Sequence, residues 1–440
     1  MKRHINKLLA DMIAGQKQGQ AAGLYSLCSA HPFGLEACLR QALKADMPLL
    51  IESTCNQVNQ FGGYTGMTPA DFRNYVLAIA DKYGFPRDRL ILGGDHLGPG
   101  PWQREPVESA MSKAQALIQA YVRAGYTKIH LDASMKCAGD APDDLPPELA
   151  AGRAADLCRV AETTFAQWGQ AQDAPCYVIG TEVPLPGGAQ RHEDEIAVTT
   201  VESACETIEI TQQAFNQRGL ETAWERVIAV VVQPGVEYGD DTLFEYNRAA
   251  AAGLSRFIES YDHLVYEAHS TDYQTRPALR QMVKDHFALL KVGPAITFAF
   301  REAVFALAII ENEWLSKRKG VELSNIVRVL DNTLLDNPVY WQNYYAGSES
   351  QLQLARKYSF SDRSRYYWPA QAVQQALARL LANLEKYPAP LTLLSQFLPE
   401  QYKQVRLGLL ENTPRMLIHS KIMAVVDDYA YACGFGTGRN

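Results

Sequence analysis

Ile91-Leu92-Gly93-Gly94-Asp95-His96-Leu97-Gly98-Pro99 reads as a buried strand that ends in chemistry. An apolar run stops at two glycines, a carboxylate and an imidazole follow side by side, and Gly98-Pro99 ends the element. An Asp-His pair at the tip of such a strand offers a metal ligand beside a proton carrier. Loops are full of polar pairs, so the reading turns on whether other strands end the same way.

They do. Short apolar or β-branched runs recur at Gly23–Ser29, Pro48–Ser53, Leu90–Asp95, Lys128–Asp132, Tyr177–Glu182, Val227–Gln233, His263–His269 and Ala288–Gly293. The segments between them place apolar residues at helical spacing, as in Thr68–Tyr83, Val107–Ala124 and Thr200–Arg218. Thr68-Pro69-Ala70-Asp71 has the form of a helix start with Pro at the first position. Repeated strand-then-helix order predicts right-handed βαβ units around a parallel sheet. Eight of them predict an α/β fold, a closed (β/α)8 TIM barrel. No G-x-G-x-x-G follows the first strand, which argues against an open dinucleotide-binding sheet.

The strand signal stops after about residue 297, and Phe298–Leu315 reads as the helix that closes the barrel. The expected division is residues 1–315 as barrel with an N-terminal helix, and 316–440 as a mostly helical extension packing on the barrel or on a partner. That extension holds an aromatic-basic stretch, Tyr358–Trp368. One reading is packing, since Arg and aromatic residues are enriched in such contacts. The other has Arg363 or Arg365 grip a substrate phosphate.

Apolar residues make up 47% of the 440, enough for a large core, and the net charge of -7 offers no basic face for nucleic acid. No run is long and apolar enough to suggest a membrane span, and the first residues lack a signal peptide's apolar segment. The eight cysteines form no Cys-x-x-Cys pair, which fits reduced thiols and a cytoplasmic location.

In such barrels the chemistry sits at the C-terminal strand ends. Those ends supply His31 just after the first strand, then Glu52, Asp95 with His96, Asp132, Glu182, Gln233, His269 and Lys291. His96 and His269 are the expected ligands of a divalent metal such as zinc, with Gln233 or Glu182 as third ligand. Glu182 is equally an acid/base candidate, as are Asp95 and Asp132. Glu52 is placed at the substrate. Lys291 is either a Schiff-base amine or a structural partner of a neighbouring carboxylate. His31 either orients substrate or caps the next helix, and His130 is read as lying deeper, in the core or behind the site. The polar loop carrying Asn56, Gln57, Gln60 and Tyr64 could close over a sugar. Ser270, Thr271 and Gly293, after the last two strands, suit a phosphate or an ordinary helix cap, whereas Asp272 does not suit an anion.

Several longer motifs carry a resemblance. Cys28–Pro32, Gln60–Pro69, Gly94–Pro99, Gly180–Pro184, Val232–Glu237, Glu267–Gln274 and Ser361–Trp368 are similar to the Z-type subunit of tagatose-1,6-bisphosphate aldolase, from the galactitol and N-acetylgalactosamine pathways. Older names for such proteins include a tagatose-6-phosphate kinase, yet the chain has neither a P-loop nor a Gly-rich kinase loop. A more distant similarity is to class II metal-dependent aldolases, on Asp95-His96, Asp132-Ala133-Ser134 and His269. It implies Asp95 as proton carrier and His96 and His269 as metal ligands. The departure is Gln233, where those aldolases have a third His, which leaves Gln233, Glu182 and Glu237 as candidates.

Two functions follow from the resemblance. One is an enzyme that uses a metal to stabilise an enediolate and epimerises C4 of fructose- and tagatose-type ketoses, or their 6-phosphates, by retro-aldol cleavage and re-addition. The other is a non-catalytic subunit that stabilises a separate catalytic class II aldolase subunit. An oligomer is expected in either case.

Overall fold

The computed structural model describes residues 6–141, 145–169, 173–180 and 196–436. Eight parallel strands close on themselves: β1 (Leu24–Leu27), β2 (Leu49–Thr54), β3 (Leu90–Leu97), β4 (Lys128–Leu131), β5 (Cys176–Ile179), β6 (Val227–Val231), β7 (Val265–Ala268) and β8 (Phe287–Val292). β1 pairs with both β2 and β8, which completes the (β/α)8 barrel expected from the strand-helix repeat. A short ribbon, Glu237–Tyr238 against Leu243–Phe244, follows β6 and had no clear signal in the sequence.

Ten helices accompany the barrel: α1 (Lys7–Lys17), α2 (Pro32–Lys44), α3 (Pro69–Tyr83), α4 (Val107–Arg123), α5 (Pro147–Trp168), α6 (Val201–Asn216), α7 (Glu221–Trp224), α8 (Ala252–Ile258), α9 (Arg276–Lys284) and α10 (Pro294–Leu315). The start of α3 has the cap read from the sequence. Thr68 and Asp71 satisfy each other's backbone N–H groups, and Pro69 stands where its missing N–H is not needed.

The strand period of two sorts the barrel interior into layers. Leu24, Leu50, Ile91, Val265 and Leu289 form an apolar floor, plugged from below by Leu9, Met12 and Ile13 of α1. Two residues further along, the inward positions become Glu52, Gly93, Glu267 and Lys291, where they meet Lys128. Two further still they become Asp95 and His269, level with His130. Gly93 has no side chain for a reason of space, because a Cβ there would meet Glu52 Cγ at 2.8 Å.

The extension comprises α11 (Ile326–Asp336), α12 (Glu349–Tyr358), α13 (Gln371–Lys386), α14 (Leu391–Phe397), α15 (Pro399–Arg406) and α16 (Pro414–Ala432). The last of these returns to the barrel and packs against α2, α9 and α10. One apolar core therefore runs from the barrel helices through Trp368 and into the extension. Among the described residues no helix is long and apolar enough to cross a membrane.

Candidate functional site

A cavity of about 410 Å³ opens at the C-terminal ends of the strands, within the range of small-molecule sites. Its wall includes Cys28, Asp95, His96, Asp132, His269 and Lys291. Asn56, Gln57 and Tyr64 of the loop after β2 also line it, whereas Gln60 turns to the Lys113 carbonyl.

Below the cavity lies a buried charge network. Lys128 Nζ stands 2.5 Å from Glu52 and 2.5 Å from Glu267, all three without solvent exposure. Lys291 ion-pairs with Glu52 and lies 2.8 Å from Asp95. Burial alone would strip the proton from Lys291, but Asp95, Cys28, Glu267 and Glu52 outweigh it and hold its pKa well above the ordinary lysine value. An amine so protonated is no nucleophile, so the geometry matches the structural reading of Lys291. Burial likewise would raise Asp95, yet His96, Lys291 and His130 hold its carboxyl well below the usual range.

The end of β3 is bent to present its two functional side chains. His96 sits at φ +50, in the left-handed region that non-glycine residues rarely adopt, where the pairing with β4 slips between Gly94 and Leu97. Gly98 then passes so close to β4 that a Cβ would fall 1.5 Å from the Asp132 carbonyl oxygen. That approach lets Asp132 bond His96 Nδ1 at 2.7 Å, while Ser134 Oγ donates to the other carboxylate oxygen at 2.6 Å.

Three imidazoles meet here. The His96, His130 and His269 ring centroids are 4.8 to 5.3 Å apart. His96 Nδ1 bonds Asp132 and His269 Nε2 bonds Glu267 at 3.0 Å, while His130 Nδ1 accepts the His96 backbone N–H at 3.2 Å and lies 3.1 Å from Asp95. His130 Nε2 is buried without a hydrogen-bond partner. Asp95, His130, Glu267 and His269 each offer a ligand atom within 4.8 Å of the others. Imidazoles backed by carboxylates are the donor set of zinc and similar divalent ions. These residues fit a metal.

The sequence reading of this centre needs one correction. Gln233 does not join it: its side-chain oxygen accepts the backbone N–H groups of Gly235 and Val236, turning the amide into its own loop. Glu237 accepts from the Tyr238 N–H. A third imidazole, His130 of β4, lies behind the cavity wall without solvent exposure, at the depth expected for it, and its ring meets those of His96 and His269. His130 and Asp132, two apart, point the same way, and Lys128 extends that row of polar inward positions. Glu182 lies outside the described residues.

The other expected contacts divide. Ser270, Gly293 and Arg363 line the cavity. His31 does not reach it and packs instead among Phe33, Phe300 and Trp368, its ring 4.2 Å from Phe300, with burial lowering its pKa to about 3. Thr271 is fully buried, its hydroxyl donating to the Lys291 carbonyl and meeting Tyr429 of α16. Glu52 is held beneath Lys291 by its two lysines, away from any substrate. Of the Tyr358–Trp368 stretch, Trp368 packs in the core, while Arg363 and Arg365 line the cavity.

Known proteins resemble this chain in sequence and in fold. A protein from Sinorhizobium meliloti 1021, described as a probable tagatose 6 phosphate kinase, is 44% identical. That match covers 93% of this chain and 100% of the other, with a TM-score of 0.85. The fructuronate-tagaturonate epimerase UxaE of Cohnella laeviribosi, solved with glycerol, shares the fold at 11% identity. It covers 94% of this chain and 82% of that one, with a TM-score of 0.50. Residues 9–434 match a family model over nearly the whole length, and the chain belongs to the D-tagatose-1,6-bisphosphate aldolase subunit GatZ/KbaZ-like family.

Proposed function

We propose that this chain is a divalent-metal-dependent enzyme that interconverts fructose- and tagatose-type ketoses, or their 6-phosphates, by epimerising C4. The observation that carries this is the convergence of His96, His130 and His269 beside Asp95, with His96, His269 and Asp95 in the cavity wall and His130 buried directly behind them. His96, His130 and His269 would hold the ion, which supplies Lewis-acid polarisation of the ketose carbonyl when bound.

The chain's own groups do the rest. Asp95 accepts the proton of the C4 hydroxyl as the C3–C4 bond breaks, the bonding pair going to the carbonyl side. The aldehyde fragment then turns its other face, the bond re-forms, and Asp95 returns the proton to the C4 oxygen. Lys291, 2.8 Å from Asp95, keeps that carboxylate ionised and aimed. Asp132 and Glu267 fix the ring orientations of His96 and His269 as positioning residues.

A second reading, a non-catalytic partner of a class II aldolase subunit, draws on the family's description as an aldolase subunit. A scaffold needs neither a buried ion-pair network nor three convergent imidazoles, so we favour the enzyme. The test uses the chain alone: metal content after dialysis, then conversion of fructose 6-phosphate to tagatose 6-phosphate before and after chelation. A stoichiometric divalent ion and chelator-sensitive conversion are expected. No metal and no conversion, together with a raised rate of an added aldolase subunit, would establish the partner reading instead.

A further inference from the structure

Barrels of this type commonly hold a substrate phosphate on backbone N–H groups after the seventh and eighth strands, at a helix start. In this chain the corresponding donors are already taken. Asp272 Oδ1 accepts the N–H of Gly293 at 3.0 Å and of Ala295 at 2.8 Å, at the head of α10. The side chain is buried and lies in the cavity wall. An incoming anion finds a carboxylate there instead of free donors.

The complementary feature stands close by, on the extension. Arg363 is 3% exposed and lines the same cavity, its guanidinium carbon 3.2 Å from the Tyr344 ring centroid. Its Nε and Nη2 are buried without a hydrogen-bond partner. Buried N–H groups of a charged side chain are rarely left unmet, because desolvating them costs more than a neutral donor does. Arg365 lines the cavity too, bonding the Ser361 and Asp362 carbonyls and Tyr366 Oη. Neither arginine makes an ion pair with a carboxylate among the described residues. Burial would raise the Tyr366 phenol, but the charges of Arg365 and Arg363 hold it below its ordinary value.

The position is built, not incidental. Asp362, at φ +43, turns the chain sharply, and its carboxylate accepts from Thr297 Oγ1 at 2.5 Å and Ser364 Oγ at 2.8 Å. It also pairs with Arg301 Nε at 3.2 Å. Thr297 and Arg301 belong to α10, so the barrel itself holds Arg363 in place.

We propose that Arg363, with Arg365 beside it, is the subsite for the terminal phosphate of a ketose phosphate, supplied by the extension in place of the helix start that Asp272 closes. This deepens the ketose reading above and rests on it for the sugar. Two guanidinium groups match a phosphate dianion better than a single carboxylate. It makes the phosphorylated ketose, rather than the free sugar, the ligand this cavity selects.

Calorimetric binding to the full chain tests it with four probes: fructose 6-phosphate, fructose, fructuronate and glycerol 3-phosphate. Fructose 6-phosphate is expected to bind about ten- to hundredfold tighter than fructose, the usual weight of charge-assisted hydrogen bonds. In Arg363→Gln that preference shrinks to about threefold or less, with Arg363→Lys between the two. Equal binding of fructose and its phosphate by the native chain overturns the proposal without any variant, as does a preference that survives Arg363→Gln. Tighter Arg363-dependent binding of fructuronate overturns phosphate as the group. Glycerol 3-phosphate separates the two readings. If it binds through Arg363 while no ketose does, the subsite stands and the ketose reading falls. If ketoses bind irrespective of phosphate and Arg363, the reverse holds.

Discussion

Lys128 Nζ lies 2.5 Å from Glu267 Oε2 at the centre of the barrel, and neither side chain has any contact with solvent. The same ammonium is 2.5 Å from Glu52, so one cation neutralises carboxylates from two separate strands, β2 and β7, inside the barrel. Burial would lower the Lys128 pKa, but Glu267 and Glu52 outweigh it and raise it. Glu267 in turn orients His269, which links the floor of the barrel to the site above.

Lys128→Met would leave two carboxylates buried against a single remaining lysine, Lys291. Removing one member of a buried ionic set costs roughly 3–5 kcal/mol, because the partners stay desolvated and unpaired. Urea denaturation should show a loss of that size. Lys128→Met with Glu267→Gln should recover part of it, since the second change removes a stranded charge. If the double variant is no more stable than the single one, the pair is not what holds this layer.

His130 and Gln233 make opposite predictions for metal binding. The purified chain with His130→Ala should lose bound metal by about 10- to 100-fold in affinity or more, read by elemental analysis after dialysis. Gln233→Ala should keep its metal, because that amide is spent on Gly235 and Val236. Retention in His130→Ala with loss in Gln233→Ala would reverse the assignment.

The barrel was legible because its evidence is local and repeated: eight apolar runs with helical spacing between them. The strand-end residues were legible for the same reason, since a period of two decides which side chains face inward. What depends on three-dimensional routing was not legible. His130 and Gln233 both occupy strand-end sequence positions, and only the turn at Gly235, at φ +86, folds the amide away from the centre. His31 looked like a rim residue until the extension brought Trp368 down beside it. Asp272 looked unsuited to an anion site, and its own carboxylate takes the Gly293 and Ala295 N–H groups at the head of α10.

Gly98→Ala tests the close approach that shapes the site. The added Cβ would fall 1.5 Å from the Asp132 carbonyl oxygen, so the ends of β3 and β4 would have to separate. Overpacking costs typically about 1–3 kcal/mol and occasionally more, and the shift would break the Asp132–His96 contact that orients a metal ligand. Lower thermal stability and weaker metal retention should appear together. Gly253→Ala, on α8 with its nearest new neighbour the Val201 methyl at 3.3 Å, should stay within about 1 kcal/mol of the native chain. Equal behaviour of the two variants would contradict the packing argument.

Acid should weaken the join between barrel and extension through Glu36. Its carboxylate on α2 takes Lys82 of α3 at 2.9 Å, and Arg415 and His419 of α16 at 3.0 Å each. Burial would raise this carboxyl, but hydrogen bonds from His419 and Lys82 and the charge of Arg415 hold it at about 2. A carboxyl whose pKa is lower folded than unfolded adds stability above its unfolded value of about 4.3, and loses it as pH falls toward the folded value. The native chain should therefore lose stability between about pH 4.5 and 2 more steeply than Glu36→Gln does. The two should differ most at neutral pH and converge in acid, where a protonated Glu36 resembles the amide. Stability measured by urea titration at several pH values decides it: a gap that stays constant from pH 7 down to 2.5 would mean that Glu36 contributes packing and not charge.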